Sequence, residues 1–345
     1  MKTKQFLQSK RTVFFCSNTI GSFTSRDLKL LKRHFYVHFY YYKGLKHLPL
    51  HLIRIVAGVL CSDICLCNFA DNHALITLLV AKMLRRKTLV IVGGYEVARI
   101  KGLKYGLNRS VFFPLVVKTI LKKADHVLPV SINLREDAKN NLGVNTSNFT
   151  VVPNGFDSRK FSPSNEEKEL RVTCAARCSD MDTIPVKGID TFLRTAALLP
   201  HIPFTLIGIH PAIQSRLKTE TPKNVTLLPT LPQNELLPYY RRSKVYCQLS
   251  RREGHPNAIC EAMLCECVPV GTDVPGIRQV MGNTGFLVPP GNPSLAAMAI
   301  QAALESDRGT EARNRIQSEY SLEKREMDFE SIITAHITKK HSPHE

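Results

Sequence analysis

Short apolar runs alternate with segments of helical periodicity along most of the chain. The runs are continuously apolar, which is typical of strands that are covered on both faces. They predict strands at 12–16, 64–69, 88–92, 126–130, 171–176, 204–208, 225–228, 245–249 and 268–270. The intervening patterns predict helices at 73–84, 114–123, 132–141, 190–199, 234–242 and 257–265.

This alternation predicts an α/β fold with two successive Rossmann-like units, each a parallel sheet covered by helices. The length of 345 residues suits two domains of about 150 residues each. Turn-forming residues at 153–157 and a polar stretch at 162–169 mark the boundary. We predict a first domain at 1–155, a second domain at 156–308, and a helical segment at 309–345 that packs back toward the first domain. Ligands of such sheets bind outside the carboxyl ends of the strands, so a cleft between the units is the expected active site.

Basic residues are concentrated in the first half of the chain. The net charge is +18; residues 1–150 carry 24 basic against 7 acidic side chains, whereas the remainder carries 23 against 22. Such asymmetry indicates a polyanionic partner, which is nucleic acid, an anionic membrane surface or a phosphorylated acceptor. No nucleic-acid-binding motif is present, so nucleic acid is not the expected partner.

The sequence contains no pattern typical of a signal peptide or a membrane-spanning helix. Its start is too polar for a signal peptide, and the most apolar run, 74–94, is interrupted by Lys82, Arg85 and neighbouring basic residues. The ten cysteines form no CxxC pair and are expected to be reduced core thiols. We therefore expect a cytoplasmic protein, and the basic half adds peripheral contact at the cytoplasmic membrane face as a further hypothesis.

Two glutamates stand eight positions apart around a turn-forming tetrapeptide. Glu253 precedes Gly254-His255-Pro256-Asn257, and Glu261 follows it. Proline and asparagine suit the start of a helix, whose first N–H groups and partial positive charge favour a diphosphate. Glycine lets the backbone approach a ligand closely, and carboxylates accept hydrogen bonds from sugar hydroxyls. This arrangement predicts a site for a nucleotide-activated sugar; a solvated loop and a helix-dipole partner are the alternative interpretation.

This segment resembles the signature of the retaining glycosyltransferases of family 4, which have the GT-B fold and an E-x7-E motif. The resemblance implies two Rossmann-like domains facing across a cleft. The domain at 1–155 would bind the acceptor, and the domain at 156–308 would bind a UDP- or GDP-sugar as the donor substrate. It extends over about 88–305 through further elements in the family's order. These elements are Ala124-Asp125-His126-Val127, Val151-Val152-Pro153-Asn154-Gly155-Phe156-Asp157, Phe161-Ser162-Pro163, Lys187-Gly188-Ile189-Asp190, Phe204-Thr205-Leu206-Ile207-Gly208, Val270-Gly271-Thr272-Asp273 and Gly285-Phe286-Leu287-Val288.

The resemblance also implies roles for individual residues. Arg177 and Lys187 would contact the donor diphosphate and act in catalysis. Glu253 would hold the transferred sugar and also act in catalysis, and Glu261 would bind the nucleotide ribose. No metal ion or cofactor is implied, because the two cations and a helix N-terminus would stabilise the leaving diphosphate. The loop residues that would line sugar and phosphate through backbone groups are Gly254, His255, Pro256 and Asn257.

Two elements depart from the family pattern. A longer, acidic insert at 178–186 separates Arg177 from Lys187. The family's HG-x-D element is altered to Gly93-Gly94-Tyr95-Glu96, so that Gly93 stands where the family has histidine. Gly94 and Glu96 remain candidate donor contacts. Any role of the histidine is absent or filled by backbone N–H groups, and a plain strand-to-helix turn is the alternative.

Residues 33–56 combine basic, aromatic and apolar side chains, and Leu45, Leu48 and Leu52 lie close to helical spacing. A basic amphipathic segment of this kind can lie in a membrane interface. A β-strand followed by a core helix is the equal alternative. The histidine pairs of this segment lack a third ligand, so no metal site is predicted.

Taken together, the motifs predict a retaining glycosyltransferase that moves a sugar from a nucleotide-sugar donor to a glycan, lipid-linked or other anionic acceptor. Two alternatives remain open: a non-transferring GT-B enzyme of the epimerase type, and a catalytically silent binder of sugar nucleotides. Assays of donor conversion and sugar transfer distinguish these three functions.

Overall fold

The computed structural model describes residues 10–100 and 105–338. Of these residues, unit 1 holds 10–99, 106–152 and 325–338, and unit 2 holds 100, 105 and 153–324. Each unit is built around a parallel β-sheet with helices between successive strands. The predicted α/β class with two Rossmann-like units is confirmed.

Unit 1 contains a five-stranded sheet. Its strands are β1 (Thr12–Ser17), β2 (Tyr36–Tyr41), β3 (Ile64–Asn68), β4 (Lys87–Val92) and β5 (His126–Pro129). Its first helices are α1 (Ser22–His34), α2 (Leu48–Leu60), α3 (Asn72–Met83), α4 (Phe113–Lys123) and α5 (Ile132–Leu142). The strand order is β2-β1-β3-β4-β5, and all neighbours are parallel. Strands β3 and β4 are almost entirely buried, as expected at the centre of a covered sheet.

The segment 33–56 contributes a strand and a helix to unit 1. Strand β2 pairs with β1 at the edge of the sheet, and α2 buries His51, Ile55 and Val59. The strand-plus-helix alternative therefore describes the local structure. Strand β2 was absent from the predicted series because its burial is only partial, and its sequence lacks the continuous apolar run of a central strand. The opposite side of α2 is exposed and rich in leucine.

Unit 2 contains a six-stranded sheet in the order β11-β10-β9-β6-β7-β8, again with parallel neighbours. Because the sheet is parallel, the carboxyl ends of its central neighbours β6 and β9 lie side by side at one edge. The strands are β6 (Glu169–Cys178), β7 (Phe204–Ile209), β8 (Val225–Leu228), β9 (Ser243–Gln248), β10 (Val268–Thr272) and β11 (Phe286–Val288). The helices are α6 (Thr183–Lys187), α7 (Ile189–Leu198), α8 (Pro211–Leu217), α9 (Gln233–Arg242), α10 (Asn257–Leu264), α11 (Pro275–Met281), α12 (Pro293–Leu304) and α13 (Gly309–Glu319).

Two apolar clusters cover the sheet of unit 2. Val245 and Cys247 of β9 enter a cluster with α7 and α12, whereas Tyr246 enters a cluster with α10, α11 and α13. Successive side chains of a strand point to opposite faces, so the two clusters lie on opposite faces of the sheet. Helix α10, which carries Glu261, is thus fixed by its buried apolar side against the second face.

The last helix, α14 (Leu322–Thr338), belongs mainly to unit 1. Its Phe329, Ile333 and Ile337 join the apolar core of that unit. Arg325 Nε and Nη2 each donate to one oxygen of Asp27 at 2.7 Å, and both side chains are 2% exposed. This buried bidentate ion pair attaches α14 to α1.

The unit boundary falls between Val152 and Pro153, whereas the sequence predicted it after residue 155. The predicted segment 309–345 is divided: α13 stays with unit 2 and most of α14 joins unit 1, and its residues 339–345 lie outside the described ranges. No helix within 10–100 and 105–338 is both long and apolar enough to cross a bilayer.

Candidate active site

Arg177 lies in an irregularity at the carboxyl end of β6. Two residues of β6, one of them Arg177, stand opposite the single residue Gly208 of β7. Gly208 has a φ of +106°, and a Cβ there would lie 2.7 Å from the carbonyl oxygen of Ala176, so this close approach requires glycine. Such bulges re-aim side chains next to active sites. The Arg177 side chain is exposed and has no ion-pair partner among the residues that the structure describes.

Lys187 ends the short helix α6 and is followed by Gly188. Gly188 has a φ of +64°, and a Cβ there would lie 1.9 Å from the carbonyl oxygen of Leu249, directly after β9. No other residue satisfies both conditions. Arg251 secures the same junction, because its Nη1 donates to the carbonyl oxygen of Pro185 at 2.8 Å. The junction therefore holds Lys187 at the carboxyl end of β9.

Lys187, Glu253 and Gln248 form a hydrogen-bonded cluster. Lys187 Nζ and Gln248 Nε2 donate to Glu253 Oε1 at 2.9 and 2.8 Å. The side chains of Lys187 and Glu253 are 23% and 10% exposed. Burial lowers the pKa of Lys187. The negative charge of Glu253, together with its hydrogen bond and other neighbouring groups, raises the pKa by more than burial lowers it. The pKa of Lys187 consequently lies above its ordinary value, and the side chain is cationic at neutral pH.

The insert at 178–186 forms a turn and helix α6. Asp180 accepts hydrogen bonds from the backbone N–H of Thr183 at 2.9 Å and from its hydroxyl at 2.7 Å, which fixes the turn. Within 10–100 and 105–338, no group of three or more His, Cys, Asp or Glu side chains is placed to hold a metal ion. The longer connection still brings Lys187 to Glu253, so the departure from the family spacing does not separate these two residues.

The loop after Glu253 lies directly on helix α11. A Cβ at Gly276 of α11 would lie 2.4 Å from the carbonyl oxygen of Glu253 and 2.6 Å from that of Gly254. Backbone atoms cannot move aside as a flexible side chain can. Glycine at 276 is therefore required for the loop to pack this closely against the helix. The orientation of the Glu253 carboxylate therefore depends on a residue of α11 as well as on its hydrogen-bond donors.

The ring of His255 points into unit 2 rather than to solvent. It is 6% exposed and packs against Phe156 and Tyr320 at centroid distances of 6.0 and 4.9 Å. Pro256 is also buried. Because these two side chains face the protein, the polar groups that this part of the loop can present to a ligand belong to its backbone. The backbone role that the resemblance implies stays a prediction.

Helix α10 begins at Asn257 without a side-chain cap from the preceding Pro256. Asn154 Nδ2 donates to Asn257 Oδ1 at 3.0 Å, and Asn154 is 8% exposed. The linker motif at 151–157 thus holds the first residue of the helix. The first N–H groups of a helix have no partner within it, and they attract anions when no cap engages them.

Glu261 lies in α10 and is 4% exposed. Gln233 Nε2 donates to Glu261 Oε1 at 2.8 Å, and Lys160 Nζ donates to Gln233 Oε1. These contacts link the start of α9 and the segment after the linker to one carboxylate. A buried carboxylate oriented in this way can accept further hydrogen bonds from the hydroxyls of a ribose.

Thiolate chemistry is disfavoured beside the lysine–glutamate pair. Burial raises the pKa of Cys174 in β6 to about 12, with opposing effects from Lys187 and Glu253. Because the thiol stays protonated at neutral pH, it is a poor nucleophile and a poor metal ligand. Cys174 is therefore a small apolar core residue in unit 2, as predicted for the cysteines.

The Gly93-Gly94-Tyr95-Glu96 element lies in unit 1, at the carboxyl end of β4. Glu96 is 2% exposed, and its two oxygens accept the backbone N–H groups of Gly93 at 3.0 Å and Gly94 at 2.9 Å. Burial raises the pKa of Glu96, and these hydrogen bonds oppose that effect. The hypothesis that these N–H groups replace the family histidine is wrong for this structure, because Glu96 engages both of them.

Lys187 and Glu253 are in direct contact. Glu253 also begins the loop that leads into helix α10, and α10 contains Glu261. Arg177 lies at the end of the neighbouring strand β6. Gly94 and Glu96 lie in unit 1 and are held by contacts within their own loop. Sequence reasoning did not select the amide side chains that orient the two glutamates and α10, although one lies in a predicted strand and another belongs to the linker motif. They are Gln248, Gln233 and Asn154.

The chain is an α/β protein with two parallel sheets, and a lysine–glutamate pair and an uncapped helix start lie at the carboxyl ends of the second sheet. Residues 171–306 match the family model described as "Glycosyl transferases group 1". The second unit of the chain is therefore similar to the group 1 glycosyltransferases over 171–306. This match confirms the family resemblance seen in the sequence.

A curated relative in Arabidopsis thaliana is one of the subunits of phosphatidylinositol N-acetylglucosaminyltransferase, and it is 22% identical over 275 residues. The match covers 70% of this chain and 61% of that protein. The chain thus spans less than two thirds of the length of this relative.

Solved structures of the GT-B fold superpose on most of the chain. Sucrose-phosphate synthase from Thermosynechococcus elongatus is 17% identical, with a TM-score of 0.77 and coverage of 96% of this chain and 100% of that chain. HepE of Anabaena, in complex with UDP and glucose, is 16% identical, with a TM-score of 0.78 and coverage of 94% and 100%. At such identities the likeness concerns the fold, and it confirms the predicted GT-B class.

Proposed function

We propose that this chain is a retaining glycosyltransferase that transfers a sugar from a nucleoside-diphosphate sugar to an acceptor. The observation that carries the proposal is the cluster of Lys187, Glu253 and Gln248 at the carboxyl ends of β6 and β9. Ligands of open parallel sheets bind at these ends. A fixed cation and a fixed carboxylate at that edge suit a diphosphate and a sugar.

Lys187, Arg177 and the start of α10 supply positive charge for the donor diphosphate. Lys187 is held by Glu253, and Arg177 is exposed without an ion-pair partner among the described residues. Charge accumulates on the diphosphate as the glycosidic bond breaks, and preorganised cations and helix N–H groups stabilise it. We propose that these protein groups perform this task without a metal ion or other cofactor. Activity that survives excess chelator supports this part of the proposal, and loss of activity restored by a divalent cation contradicts it.

The two glutamates recognise different hydroxyl groups of the donor. Glu253 follows β9 and contacts the transferred sugar, whereas Glu261 lies within α10 and accepts from the ribose. Their separate donors, Gln248 and Gln233, orient each carboxylate independently. Gly254, His255, Pro256 and Asn257 line the diphosphate between them through backbone groups. HepE, which has the same fold, is known in complex with UDP and glucose.

Donor binding is tested by thermal-shift titration with UDP-, GDP- and ADP-sugars. Wild-type protein is expected to be stabilised by one of these donors, and Glu261→Ala to lose most of that shift while its unliganded melting temperature changes little. The matched control is Glu311→Ala, an exposed glutamate in the first turn of α13. A Glu261→Ala variant that binds donor like the wild type contradicts the assignment of Glu261.

The same assay distinguishes the alternative functions when product formation is followed. An epimerase-type enzyme converts the donor sugar without an acceptor, and a silent binder gives a thermal shift without any conversion. Transfer of a radiolabelled sugar to a glycan or lipid-linked acceptor is the expected result. Donor conversion that is complete without an acceptor and yields an isomeric nucleotide sugar contradicts transfer.

We further propose that unit 1 contacts an anionic membrane surface at the cytoplasmic face and takes a lipid-linked or other anionic acceptor there. Helix α3 packs against both α2 and α4, and all three helices expose apolar side chains. No acidic residue occurs between Asp27 and Asp63, whereas Lys43, Lys46 and Arg54 are exposed around α2. The exposed apolar residues are Leu48, Leu50, Leu52, Ile53 and Leu60 around α2, Leu79 and Met83 on α3, and Val111, Phe112 and Leu115 at the start of α4.

Apolar side chains bordered by lysine and arginine suit the boundary between headgroups and acyl chains. Co-sedimentation with vesicles of phosphatidylcholine alone or with phosphatidylserine tests the proposal. Binding is expected only with the anionic lipid, and Ile53→Glu is expected to weaken it about tenfold or more. The control is Leu198→Glu on the exposed side of α7 in unit 2. Equal sedimentation with both lipid compositions contradicts membrane contact.

A further inference from the structure

The phenyl ring of Phe69 occupies the space beside Gly93 in unit 1. A Cβ at Gly93 would lie 2.1 Å from Phe69 Cε1 and 2.9 Å from Cδ1. Any side chain at position 93 would therefore clash with the Phe69 ring in its present position. Both residues directly follow neighbouring strands, β3 and β4, so the ring lies at the carboxyl edge of the sheet.

Phe69 adopts a backbone conformation that bulky residues rarely take. Its φ is +72°, in the left-handed region that favours glycine. The Phe69 N–H donates to the carbonyl oxygen of Ile91 in β4 at 3.0 Å, which continues the hydrogen bonding of the sheet by one residue. Unusual backbone conformations persist where the surroundings enforce them, and they concentrate at ligand sites.

A second aromatic ring meets Phe69 at this edge. Phe23 lies in the first turn of α1, soon after β1, and its ring contacts Phe69 edge-on at 5.4 Å and 67°. Both phenylalanines are partly exposed. Two partly exposed phenyl rings at the carboxyl ends of β1 and β3 form an apolar surface where ligands of parallel sheets bind. We call Phe23 and Phe69 the aromatic platform.

Polar groups lie close to the aromatic platform in the sequence and at the same sheet edge. Asn18 directly follows β1, and Asp71 follows Phe69 by two residues. Asn18 Nδ2 donates to Asp71 Oδ2 at 3.2 Å, and Arg109 Nη2 donates to Asp71 Oδ1 at 3.0 Å. Small-molecule sites combine an apolar, aromatic lining with a few fixed polar groups. The amide, carboxylate and guanidinium here provide both donors and acceptors for hydroxyls.

We propose that the aromatic platform binds the acceptor by packing against the C–H face of a sugar ring or another cyclic polyol. This inference rests on the proposed transfer reaction and names the chemical class of its acceptor. The face of an aromatic ring carries partial negative charge, which attracts the weakly positive C–H groups of such a ring. The hydroxyls at the rim of the acceptor meet Asn18, Asp71 and Arg109. Phe69 and Phe23 are thus positioning residues for the acceptor.

The chain contains no tryptophan, so a single introduced tryptophan is the sole source of tryptophan fluorescence and allows a direct test. The reporters are Phe23→Trp and Phe69→Trp, and the control is Phe112→Trp, which replaces a phenylalanine that is 76% exposed on α4. Each folded variant is titrated with methyl α-D-glucopyranoside, N-acetylglucosamine and myo-inositol. A saturable change of fluorescence is expected from the platform reporters with at least one probe, and none from the control.

Adding Phe69→Ala to the Phe23→Trp reporter is expected to raise the apparent Kd of the responding probe about tenfold, because half of the apolar surface is removed. The thermal shift of Phe69→Ala with the nucleotide sugar should match that of the wild type. Platform reporters that respond like Phe112→Trp to every probe overturn the inference. A wild-type protein that shows no shift with any nucleotide sugar instead overturns the proposed function.

Discussion

At the carboxyl ends of its sheet, unit 2 places carboxylates beside donors from distant segments: Glu253 with Lys187 and Gln248, and Glu261 with Gln233. Unit 1 turns the carboxylate of Glu96 into its own loop and exposes aromatic and apolar side chains instead. One architecture can therefore build a polar, charged cluster in one unit and an apolar surface in the other. The difference lies in the few residues that follow each strand.

The largest expected effect concerns the charge pair that completes unit 1. Asp27→Ala removes the partner of Arg325 in a pair that is 2% exposed on both sides. An unpaired buried charge costs about 3–5 kcal/mol, so the free energy of unfolding should fall by that amount. Urea denaturation measures it. The control is Asp307→Ala, whose carboxylate contacts Lys244 at the surface and whose loss should change stability little. Equal effects of the two substitutions would contradict the structural role of Asp27.

The next largest effect is a loss of stability at acidic pH that originates in unit 1. Burial lowers the pKa of His73 to about 4, because the ring is enclosed; the contact of Nε2 with the carbonyl oxygen of Asn68 at 2.9 Å opposes this shift without cancelling it. Between the ordinary histidine value and about 4, the unfolded chain binds a proton that the folded chain does not, so stability falls as pH falls. The loss amounts to about 3 kcal/mol over this window.

Denaturation of wild type and His73→Gln between pH 7 and pH 4 tests this prediction, and the profile of the variant should be flatter. His201→Gln replaces an exposed histidine and should keep the wild-type profile. Parallel pH profiles for the wild type and His73→Gln would show that His73 does not cause the acid sensitivity.

A pair of glycine substitutions sharpens the comparison between the units. Gly276→Ala and Gly93→Ala should each cost about 1–3 kcal/mol through overcrowding. The clash at Gly276 is with backbone carbonyl oxygens, whereas the clash at Gly93 is with the ring of Phe69. A double-mutant cycle should therefore show that Phe69→Ala relieves the cost of Gly93→Ala and leaves that of Gly276→Ala unchanged. Strict additivity at the 69/93 pair would contradict the contact.

The smallest expected effect is a change of stability at alkaline pH that originates in unit 2. Burial lowers the pKa of Lys187 in the folded protein, but the negative charge of Glu253, its hydrogen bond and other neighbouring groups together outweigh burial. The folded pKa therefore lies above its ordinary value. A raised pKa contributes stability that is complete below the unfolded value and is lost as pH rises through the folded value. The stability difference between wild type and Lys187→Gln should therefore shrink at strongly alkaline pH. A difference that widens under those conditions would exclude this role.

The strands and the unit 2 site were predictable because their signals are local. Continuous apolar runs indicated the buried strands, and the Glu253–Glu261 spacing with its turn indicated the start of α10. The amides Gln248, Gln233 and Asn154 were not selected, because each reaches its partner across the fold rather than along the chain. No local pattern specifies such a partner.

Unit 1 was harder to predict for two physical reasons. Strand β2 lies at the sheet edge, where burial is partial and the apolar pattern is weak. The consequence of Gly93 depended on Phe69, which lies in the preceding strand-to-helix connection and fills the space with its ring. The sequence could show that a side chain is absent at 93, but only the fold shows which neighbour takes its place.

The return of α14 to unit 1 has a consequence for biosynthesis. Unit 2 is nearly contiguous in the chain, whereas the core of unit 1 needs Phe329, Ile333 and Ile337 from the far end. A ribosome synthesises those residues after unit 2, so unit 2 can complete its core while unit 1 still lacks one helix. A fragment ending at Val152 should consequently be prone to aggregation, and a fragment covering 153–324 should be the better candidate for separate expression.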